Sequence, residues 1–435
     1  MHRRRVGTGL AILLCALAAA GLGWVVPADA REDDAAVRLV ADEGEAARYW
    51  ARWRGPTGQG LVTGDYPDTW SPSTTPRWRT AVPGRGNSSP IVWGDRIFLT
   101  TAQDEGRRLS VLAFRRSDGT RLWELVVPQD GVEKVHAKNG HASATPTTDG
   151  EFVYASFGSQ GLVAVDFDGR LVWHRKIGDL HNYHGSAGSP VLYKDRVFLY
   201  QDHKGGAGVT AFVAAFDKKT GQTKWWRERT ETVGWGTPVV VRAGDRDELV
   251  VSSQHRVAAY DPDTGDELWT VKGNTFEVIP TPVVGHGLIF CSSGRAGPTM
   301  AIRPGGRGDV TETHVVWKAP KGSPFVPSPL LQGDYLYLVN DMSSILTAYR
   351  ARTGEVVYQG RLGEVMREGF SASPVAVGDR LFFTNDLGET FVVKAGPTFD
   401  LLHVNRLDAR TLATPALVDG VWYFRTENEL IAIGH

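Results

Sequence analysis

One short motif recurs eight times along this chain of 435 residues and constrains its fold more than any other feature. Each copy is a serine or threonine followed by proline, an apolar run, a turn and a second apolar run; the first copy, residues 87–99, alone predicts a β-hairpin. The intervals between successive prolines run from 41 to 56 residues. Such a period in a strand-rich chain is typical of a β-propeller with four strands per blade. The eight prolines are Pro90, Pro146, Pro190, Pro238, Pro282, Pro329, Pro374 and Pro415.

The interval between two prolines accommodates four strands, which we label A to D in chain order. Strand A follows the Ser/Thr-Pro pair, strand B completes the hairpin, strand C is an alternating apolar run such as residues 257–260, and strand D carries a tryptophan. A polar turn with Thr-Gly or Asp-Gly precedes most D strands. A single ligand does not need the same residue on the outer strand of five blades, so we interpret the tryptophans as packing between blades. They are Trp123, Trp173, Trp225, Trp269 and Trp317.

The two ends of the repeat region complement each other. The eighth repeat, residues 414–433, has strands A to C but no D strand, whereas the segment around Trp78 resembles a D strand with no blade before it. Pairing the two segments removes both open sheet edges. The sequence therefore predicts an all-β fold: an eight-bladed propeller of four-stranded antiparallel blades, closed by an N-terminal strand that completes the last blade.

The chain divides into three parts. Residues 1–30 resemble a signal peptide, with three arginines at 3–5, an apolar stretch and an Ala-x-Ala site that predicts cleavage after Ala30; an uncleaved anchor and twin-arginine export stay open. Residues 31–75 are predicted to be a linker and docking segment whose tryptophans, Trp50 and Trp53, pack across the propeller edge. Residues 76–435 form the propeller. The predicted location is the periplasm or cell envelope, with membrane contact only through an uncleaved signal.

The charge and cysteine content of the chain limit the kinds of partner that the protein can bind. The chain has 48 Lys and Arg against 49 Asp and Glu, and no basic run stands out, which argues against nucleic acid. Cleavage of the signal removes Cys15 and leaves Cys291 alone, so no internal disulfide is expected. Cys291 lies in an apolar run that predicts a strand, where a buried inert thiol is expected. We expect a monomer that binds a protein or a cell-envelope component.

The loops that enter strand A are the predicted functional face. Strand direction alternates, so the D-to-A and B-to-C loops share one side, here called the D-to-A face, and the D-to-A loops are the longer and more varied ones. Residues three to six positions before each repeat proline should converge on the mouth of the central channel. These candidate ligand-binding residues are Arg85, Asn87, His141, His184, Trp235, Glu277, Glu368 and Arg410. No residue is assigned a catalytic role.

Histidines cluster in the same loops. His136, His141, His181 and His184 are candidate metal ligands, although loop spacing alone sets no coordination geometry. Two other interpretations stay open: a polar, hydrogen-bonded channel rim, and an organic anion held by Arg85 with the histidines. Asp202 and His203 begin a B-to-C loop on the same face.

The repeat resembles a known family. The run from Tyr260 to Trp269, Tyr-Asp-Pro-Asp-Thr-Gly-Asp-Glu-Leu-Trp, is similar to the pyrroloquinoline quinone (PQQ)-like repeat, and Trp53-Arg54-Gly55-Pro56 resembles the opening of exported bacterial proteins built on it. The resemblance covers about residues 50–435. It implies two branches: quinoprotein dehydrogenases, which hold PQQ beside calcium, and non-enzymatic propellers that bind proteins, among them a lipoprotein of outer-membrane barrel assembly. The adjacent cysteine pair of the alcohol dehydrogenases is missing here.

Two functional hypotheses follow. The leading one is an exported, non-catalytic propeller scaffold that binds a protein or cell-envelope partner on its D-to-A face, with no cofactor. The alternative is a PQQ-dependent dehydrogenase, or another small-ligand enzyme, that uses the histidine, arginine and tryptophan residues of the channel mouth.

Overall fold

The structure, a computed structural model, describes residues 37–434 except 72, 74–75, 206–207, 296 and 366–368. Within these residues the strands form eight sheets, each built around four antiparallel strands in the predicted A-to-D order. The predicted eight-bladed propeller is therefore confirmed. The proposed signal, residues 1–30, lies outside the described residues. No helix in the described part of the chain is long and apolar enough to cross a membrane.

The strands of the first half of the chain comprise three that precede blade 1 and sixteen that build blades 1 to 4. Before blade 1 come β1 (Val37–Leu39), β2 (Leu61–Val62) and β3 (Trp78–Ala81). Blade 1 has β4 (Ile91–Trp93), β5 (Arg96–Gln103), β6 (Arg108–Arg115) and β7 (Arg121–Val126); blade 2 has β8 (Thr147–Thr148), β9 (Phe152–Ser156), β10 (Leu162–Asp166) and β11 (Leu171–Arg175). Blade 3 has β12 (Val191–Tyr193), β13 (Arg196–Gln201), β14 (Phe212–Asp217) and β15 (Thr223–Glu228); blade 4 has β16 (Val239–Ala243), β17 (Arg246–Ser252), β18 (Arg256–Tyr260) and β19 (Glu267–Lys272).

The second half completes the ring. Blade 5 has β20 (Val283–Gly285), β21 (Leu288–Ser292), β22 (Thr299–Ile302) and β24 (Val315–Ala319), with β23 (Gly308–Asp309) and the short helix α1 (Thr311–His314) before its last strand. Blade 6 has β25 (Leu330–Gln332), β26 (Tyr335–Asn340), β27 (Ile345–Arg350) and β28 (Val356–Arg361); blade 7 has β29 (Val375–Val377), β30 (Arg380–Thr384), β31 (Glu389–Lys394) and β32 (Leu401–Arg406). Blade 8 has β33 (Ala416–Val418), β34 (Val421–Arg425) and β35 (Glu429–Gly434). Short 3-10 turns are at Ala46–Arg48, Asp104–Gly106 and Gly158–Gln160.

The N-terminal strand closes the ring as the sequence predicts. β3 pairs antiparallel with β35, in a register that sets Trp78 opposite Ala432 and Ala81 opposite Glu429. This pairing supplies the fourth strand of blade 8 and covers the edge that β35 would otherwise expose. The ring is therefore held shut by backbone hydrogen bonds between the two ends of the propeller sequence.

Two repeated residues, the D-strand tryptophan and the glycine of the C-to-D turn, form one inter-blade contact. In five places an indole Nε1 donates to a backbone carbonyl in the next blade's turn, at 2.8–3.1 Å. The same indole packs against that turn's glycine so closely that an added Cβ would lie within 2.5–2.7 Å of the ring. The predicted packing role of the tryptophans is therefore confirmed. The pairs are Trp78–Gly119, Trp123–Gly169, Trp173–Gly221, Trp225–Gly265 and Trp317–Gly354.

Trp269 of blade 4 departs from this pattern because blade 5 replaces its short turn with residues 304–309. Part of this replacement, β23, pairs in parallel with β19 and covers the outer strand. The Trp269 indole is fully buried and donates to the Glu248 carboxylate at 2.7 Å instead of to a neighbouring turn. A buried carboxylate thus takes the place of the missing carbonyl.

The hydroxyl groups of the Ser/Thr-Pro motif also have a structural role. The hydroxyl oxygen of each such residue, from Thr145 round to Thr414, accepts the backbone N–H of the matching residue one blade earlier, at 2.9–3.2 Å. Seven consecutive bonds therefore run head to tail around the channel, and we call this ring the hydroxyl girdle. Its members are Ser89, Thr145, Ser189, Thr237, Thr281, Ser328, Ser373 and Thr414.

The part of the docking segment that carries Trp50 and Trp53 lies inside the channel and not across the propeller edge, so the predicted position of these tryptophans is wrong; residues 68–70, in contrast, contact an outer strand, β32 of blade 7. β1 pairs with β16 and β2 with β29, and both partners are innermost A strands. Trp50 is fully buried and exchanges backbone hydrogen bonds with Val92, while the buried Arg54 guanidinium donates to the Pro329 carbonyl at 2.7 Å. The innermost strands of a propeller have unpaired edges facing the axis, and residues 50–62, here called the axial segment, satisfy several of them.

Candidate functional site

A funnel opens on the D-to-A face at the mouth of the channel. Its cavity has a volume of about 300 Å³, at the lower end of the usual range for small-molecule sites. Seven girdle residues line its wall, and Trp53 of the axial segment lies at its inner end. The funnel is therefore bounded below by the axial segment.

The girdle presents hydrogen-bond donors to this funnel. Seven of its hydroxyl oxygens already accept a backbone N–H, and none of them donates to another group in the described residues. A hydroxyl has one proton to donate, so these protons remain available to an oxygen-rich ligand or to water. The wall of the funnel therefore suits a ligand that carries hydrogen-bond acceptors.

Two of the predicted site residues, His184 and Trp235, lie together in the funnel wall. Their rings stack with centroids 5.6 Å apart, and His136 meets His184 edge-on at 4.7 Å. The Trp235 indole donates to the Asn182 side chain at 3.1 Å and to the Gly185 carbonyl at 2.8 Å, which fixes its orientation. Burial and the neighbouring His136 lower the pKa of His184, so the neutral imidazole is favoured.

Glu277 lies behind this aromatic pair and is already engaged. Its side chain is 3% exposed, accepts the Tyr183 hydroxyl and pairs with the Arg295 guanidinium. His184 Nε2 lies 3.7 Å from the same carboxylate. The cation of the pair faces the funnel, since Arg295 lines it and Glu277 does not.

A second ion pair reaches across the funnel. Lys138, in the loop between blades 1 and 2, places its Nζ 3.1 Å from the carboxylate of Asp386 in blade 7. Asp386 is 3% exposed, and burial raises its pKa. Asp341 of blade 6 is equally buried, accepts the Phe325 N–H at 2.7 Å, and has a pKa raised to about 6 by burial.

Arg85 and Arg410 lie together, but outside the funnel. They line a separate small pocket of about 30 Å³ with Arg425, at the seam where blade 8 meets blade 1. Asn87 lines both cavities. The predicted convergence on one mouth therefore divides between two neighbouring sites.

The remaining predicted residues have other positions. His141 turns away from the funnel, and its Nε2 lies 2.8 Å from the Glu133 carbonyl. His181 is exposed, and its backbone N–H donates to His203. Glu368 lies outside the described residues. The described part of the chain contains no group of three or more His, Cys, Asp or Glu able to hold a metal.

Asp202 belongs to a buried network and not to the channel rim. Its carboxylate pairs with Arg229 at 2.7 Å, both side chains are fully buried, and the Tyr200 hydroxyl donates to it at 2.9 Å. Burial opposes the charge of the carboxylate while Arg229 favours it. This network ties blades 3 and 4 together.

Counting back from the prolines misses several funnel residues, among them Lys138, Arg295 and Trp53. Lys138 lies eight positions before Pro146, beyond the range that was counted. Arg295 belongs to a B-to-C loop, which does not lead into a Ser/Thr-Pro pair of the repeat. Trp53 comes from the axial segment, which has no repeat.

The funnel residues fit PQQ with calcium poorly. Trp235 is 6% exposed, and His184 covers one face of the indole that a flat ring would need. Glu277 is occupied by Tyr183 and Arg295, so it is not a ready metal ligand.

Comparisons with known proteins agree with this architecture. A protein-family model described as "Outer membrane protein assembly factor BamB" matches residues 69–208 and 182–360. No curated protein sequence matches the chain significantly.

Solved structures with similar folds include proteins of both branches. BamB from Moraxella catarrhalis has a TM-score of 0.59 and 14% identity, over 82% of this chain and 96% of that one. Quinohemoprotein alcohol dehydrogenase from Comamonas testosteroni has a TM-score of 0.64 and 13% identity, over 93% and 83%. The computationally designed Ika8 protein has a TM-score of 0.58 and 11% identity, over 83% and 99%. At these identities the likeness shows the fold alone.

Proposed function

Because the chain belongs to the PQQ-repeat family described by the outer membrane protein assembly factor BamB, we propose that it is an exported, non-catalytic propeller that binds a protein partner in the cell envelope. The partner docks on the D-to-A face. The observation that carries this proposal is the distribution of exposed apolar side chains over the surface of the propeller.

Exposed large apolar side chains occupy only two regions of the described surface. Seven lie on the outermost strands of blades, and the other six lie in D-to-A or B-to-C loops around the funnel, with exposures from 38% to 59%. The six are Val132, Tyr183, Phe276, Met342, Val365 and Leu387. Apolar side chains grouped on one exposed face are typical of surfaces that bind other proteins.

The shape of this face favours a protein over a small molecule. The six side chains come from four D-to-A loops and from the B-to-C loops of blades 6 and 7, so they surround a funnel whose wall carries the girdle hydroxyls. A small ligand in the funnel does not reach them all, whereas a protein laid over the mouth covers several at once. Such an interface places apolar side chains around a central cavity that also offers hydroxyl groups.

The proposal is tested by photo-crosslinking in the native host, followed by reconstitution. A photoreactive residue replaces Phe276 or Leu387 on the face, or Val356 on the outer strand of blade 6 as a control of similar exposure, 50% against 48% and 58%. The face positions are expected to crosslink one protein that the control does not. That protein, identified and purified, should bind the chain at least about tenfold more weakly when Leu387→Asp is introduced, and unchanged with Val356→Asp.

Two results would overturn the proposal. One is equal binding of the reconstituted partner by the parent and by Leu387→Asp. The other is dye-linked dehydrogenase turnover by the purified protein after addition of PQQ and Ca²⁺, which would support the enzymatic alternative.

A further inference from the structure

The seam pocket between blades 8 and 1 is lined by more positively charged than negatively charged side chains. Its lining has three arginines, Arg85, Arg410 and Arg425, and one carboxylate, Glu427. Glu427 lies 3.8 Å from Arg410. Neither Arg85 nor Arg425 forms an ion pair within the described residues.

Arg425 is the anchor of this pocket. It is 2% exposed, its Nη1 donates to the Ser88 carbonyl at 3.0 Å and to the Ser88 hydroxyl at 2.5 Å, and its buried Nε has no partner. Gly86 allows the guanidinium to approach this closely, because a Cβ there would lie 2.5 Å from Nη2. A buried guanidinium without a carboxylate is unfavourable unless an anion joins it. Burial lowers the pKa of Arg425 to about 9.

The two cavities have sizes that suit the two ends of one molecule. The seam pocket of about 30 Å³ has a tenth of the funnel's volume, so it accommodates the terminal group of a ligand and not its body. The adjoining funnel of about 300 Å³ accommodates an organic body, and its girdle hydroxyls have protons available for the ligand's oxygens. Asn87, Asn139 and Leu412 line both cavities, so one ligand can span them.

We propose that this pair of cavities binds a small organic phosphate, with its phosphate group in the seam pocket and its body in the funnel. Guanidinium groups recognise phosphate by paired, charge-assisted hydrogen bonds. Three guanidiniums against one carboxylate give the lining a formal charge of +2, which matches the charge of about −1.5 to −2 on a phosphate monoester near neutral pH. A carboxylate ligand neutralises only half of this charge. The site is independent of the protein-docking proposal.

The test uses phenyl phosphate as the probe, with the full chain in phosphate-free buffer. Calorimetry and ³¹P line broadening should show saturable binding that is tighter than for inorganic phosphate, because the ring adds contacts in the funnel, and tighter than for benzoate. Arg85→Gln should weaken binding by about tenfold or more, the loss expected for a charged hydrogen bond. Arg107→Gln changes another exposed arginine in a B-to-C loop of the same face and should leave binding unchanged.

The second variant is Arg425→Gln, and its folding is first checked by circular dichroism. The folded variant should lose the binding of phenyl phosphate altogether. Three outcomes would refute the proposal. They are no binding of phenyl phosphate at millimolar concentration, equal weakening by Arg85→Gln and Arg107→Gln, and binding of benzoate as tight as that of phenyl phosphate. In the first of these cases, binding to vesicles of phosphatidic acid would identify a lipid surface as the ligand instead.

Discussion

The contact between tryptophan and glycine across blades gives a prediction whose magnitude follows from geometry. Gly119 has φ +72°, and a Cβ added there would lie 2.5 Å from the Trp78 ring on the closing strand. Gly94 has φ +59°, with no atom within 4 Å of an added Cβ. Conversion of either glycine to alanine therefore has the same backbone cost. Only at Gly119 does the new methyl group also clash with a neighbouring side chain.

We expect Gly94→Ala to destabilise the protein by about 1–2 kcal/mol, the cost of a left-handed backbone at a residue with a Cβ. Gly119→Ala should cost about 1–3 kcal/mol more, because the indole is held by its hydrogen bond to the Arg116 carbonyl at 2.9 Å and has to shift. The measurement is urea unfolding followed by tryptophan fluorescence, with the free energies compared at the same denaturant concentration.

A double-mutant cycle isolates the clash. In a Trp78→Ala background the extra cost of Gly119→Ala over Gly94→Ala should disappear, since the ring that obstructs the methyl group is gone. If Gly119→Ala costs no more than Gly94→Ala, or if the excess persists without the indole, the inter-blade contact is not what requires glycine in this turn.

Two further predictions concern buried groups. The pKa of Asp341 is raised to about 6, so the folded protein binds this proton more tightly than the unfolded chain does, and the stability it supplies below pH 3.8 is lost as pH rises through 6. Between pH 3.5 and pH 7 the free energy of unfolding of the parent, measured by urea titration, should fall by up to about 3 kcal/mol more than that of Asp341→Asn. Parallel pH curves for the two proteins would contradict this. Burial raises the pKa of Cys291 to about 12. Peptide mapping should therefore find Cys291 unmodified by Ellman's reagent in native protein and modified in 8 M urea; rapid native labelling would contradict the expected burial.

The sequence by itself determined the architecture, because that information is local and repeated. A Ser/Thr-Pro pair, an apolar hairpin, a glycine turn and a tryptophan are all read within about 45 residues, and eight copies leave little choice of fold. The sequence also predicted the strand that closes the ring, since the segment around Trp78 resembles the D strand that the last repeat lacks. The girdle and the tryptophan–glycine contact explain these recurring residues as architecture.

Only the tertiary structure decided the site. Counting back from a proline gives the position of a residue along a loop but not the direction of its side chain. Hence His184 and Trp235 reach the funnel, Arg85 and Arg410 lie in the seam pocket, and His141 turns to the Glu133 carbonyl. Local sequence carries no signal for contacts between distant segments.

The axial segment is the clearest case of this limit. Arg54 donates to a carbonyl 275 residues away, and Lys138 pairs with Asp386, which lies 248 positions later in the sequence. The axial segment has no repeat, so its path depends on the unpaired inner edges that exist only once eight blades have closed. The repeat specifies the ring, and the closed ring in turn creates the surfaces that position the axial segment and the residues of the funnel.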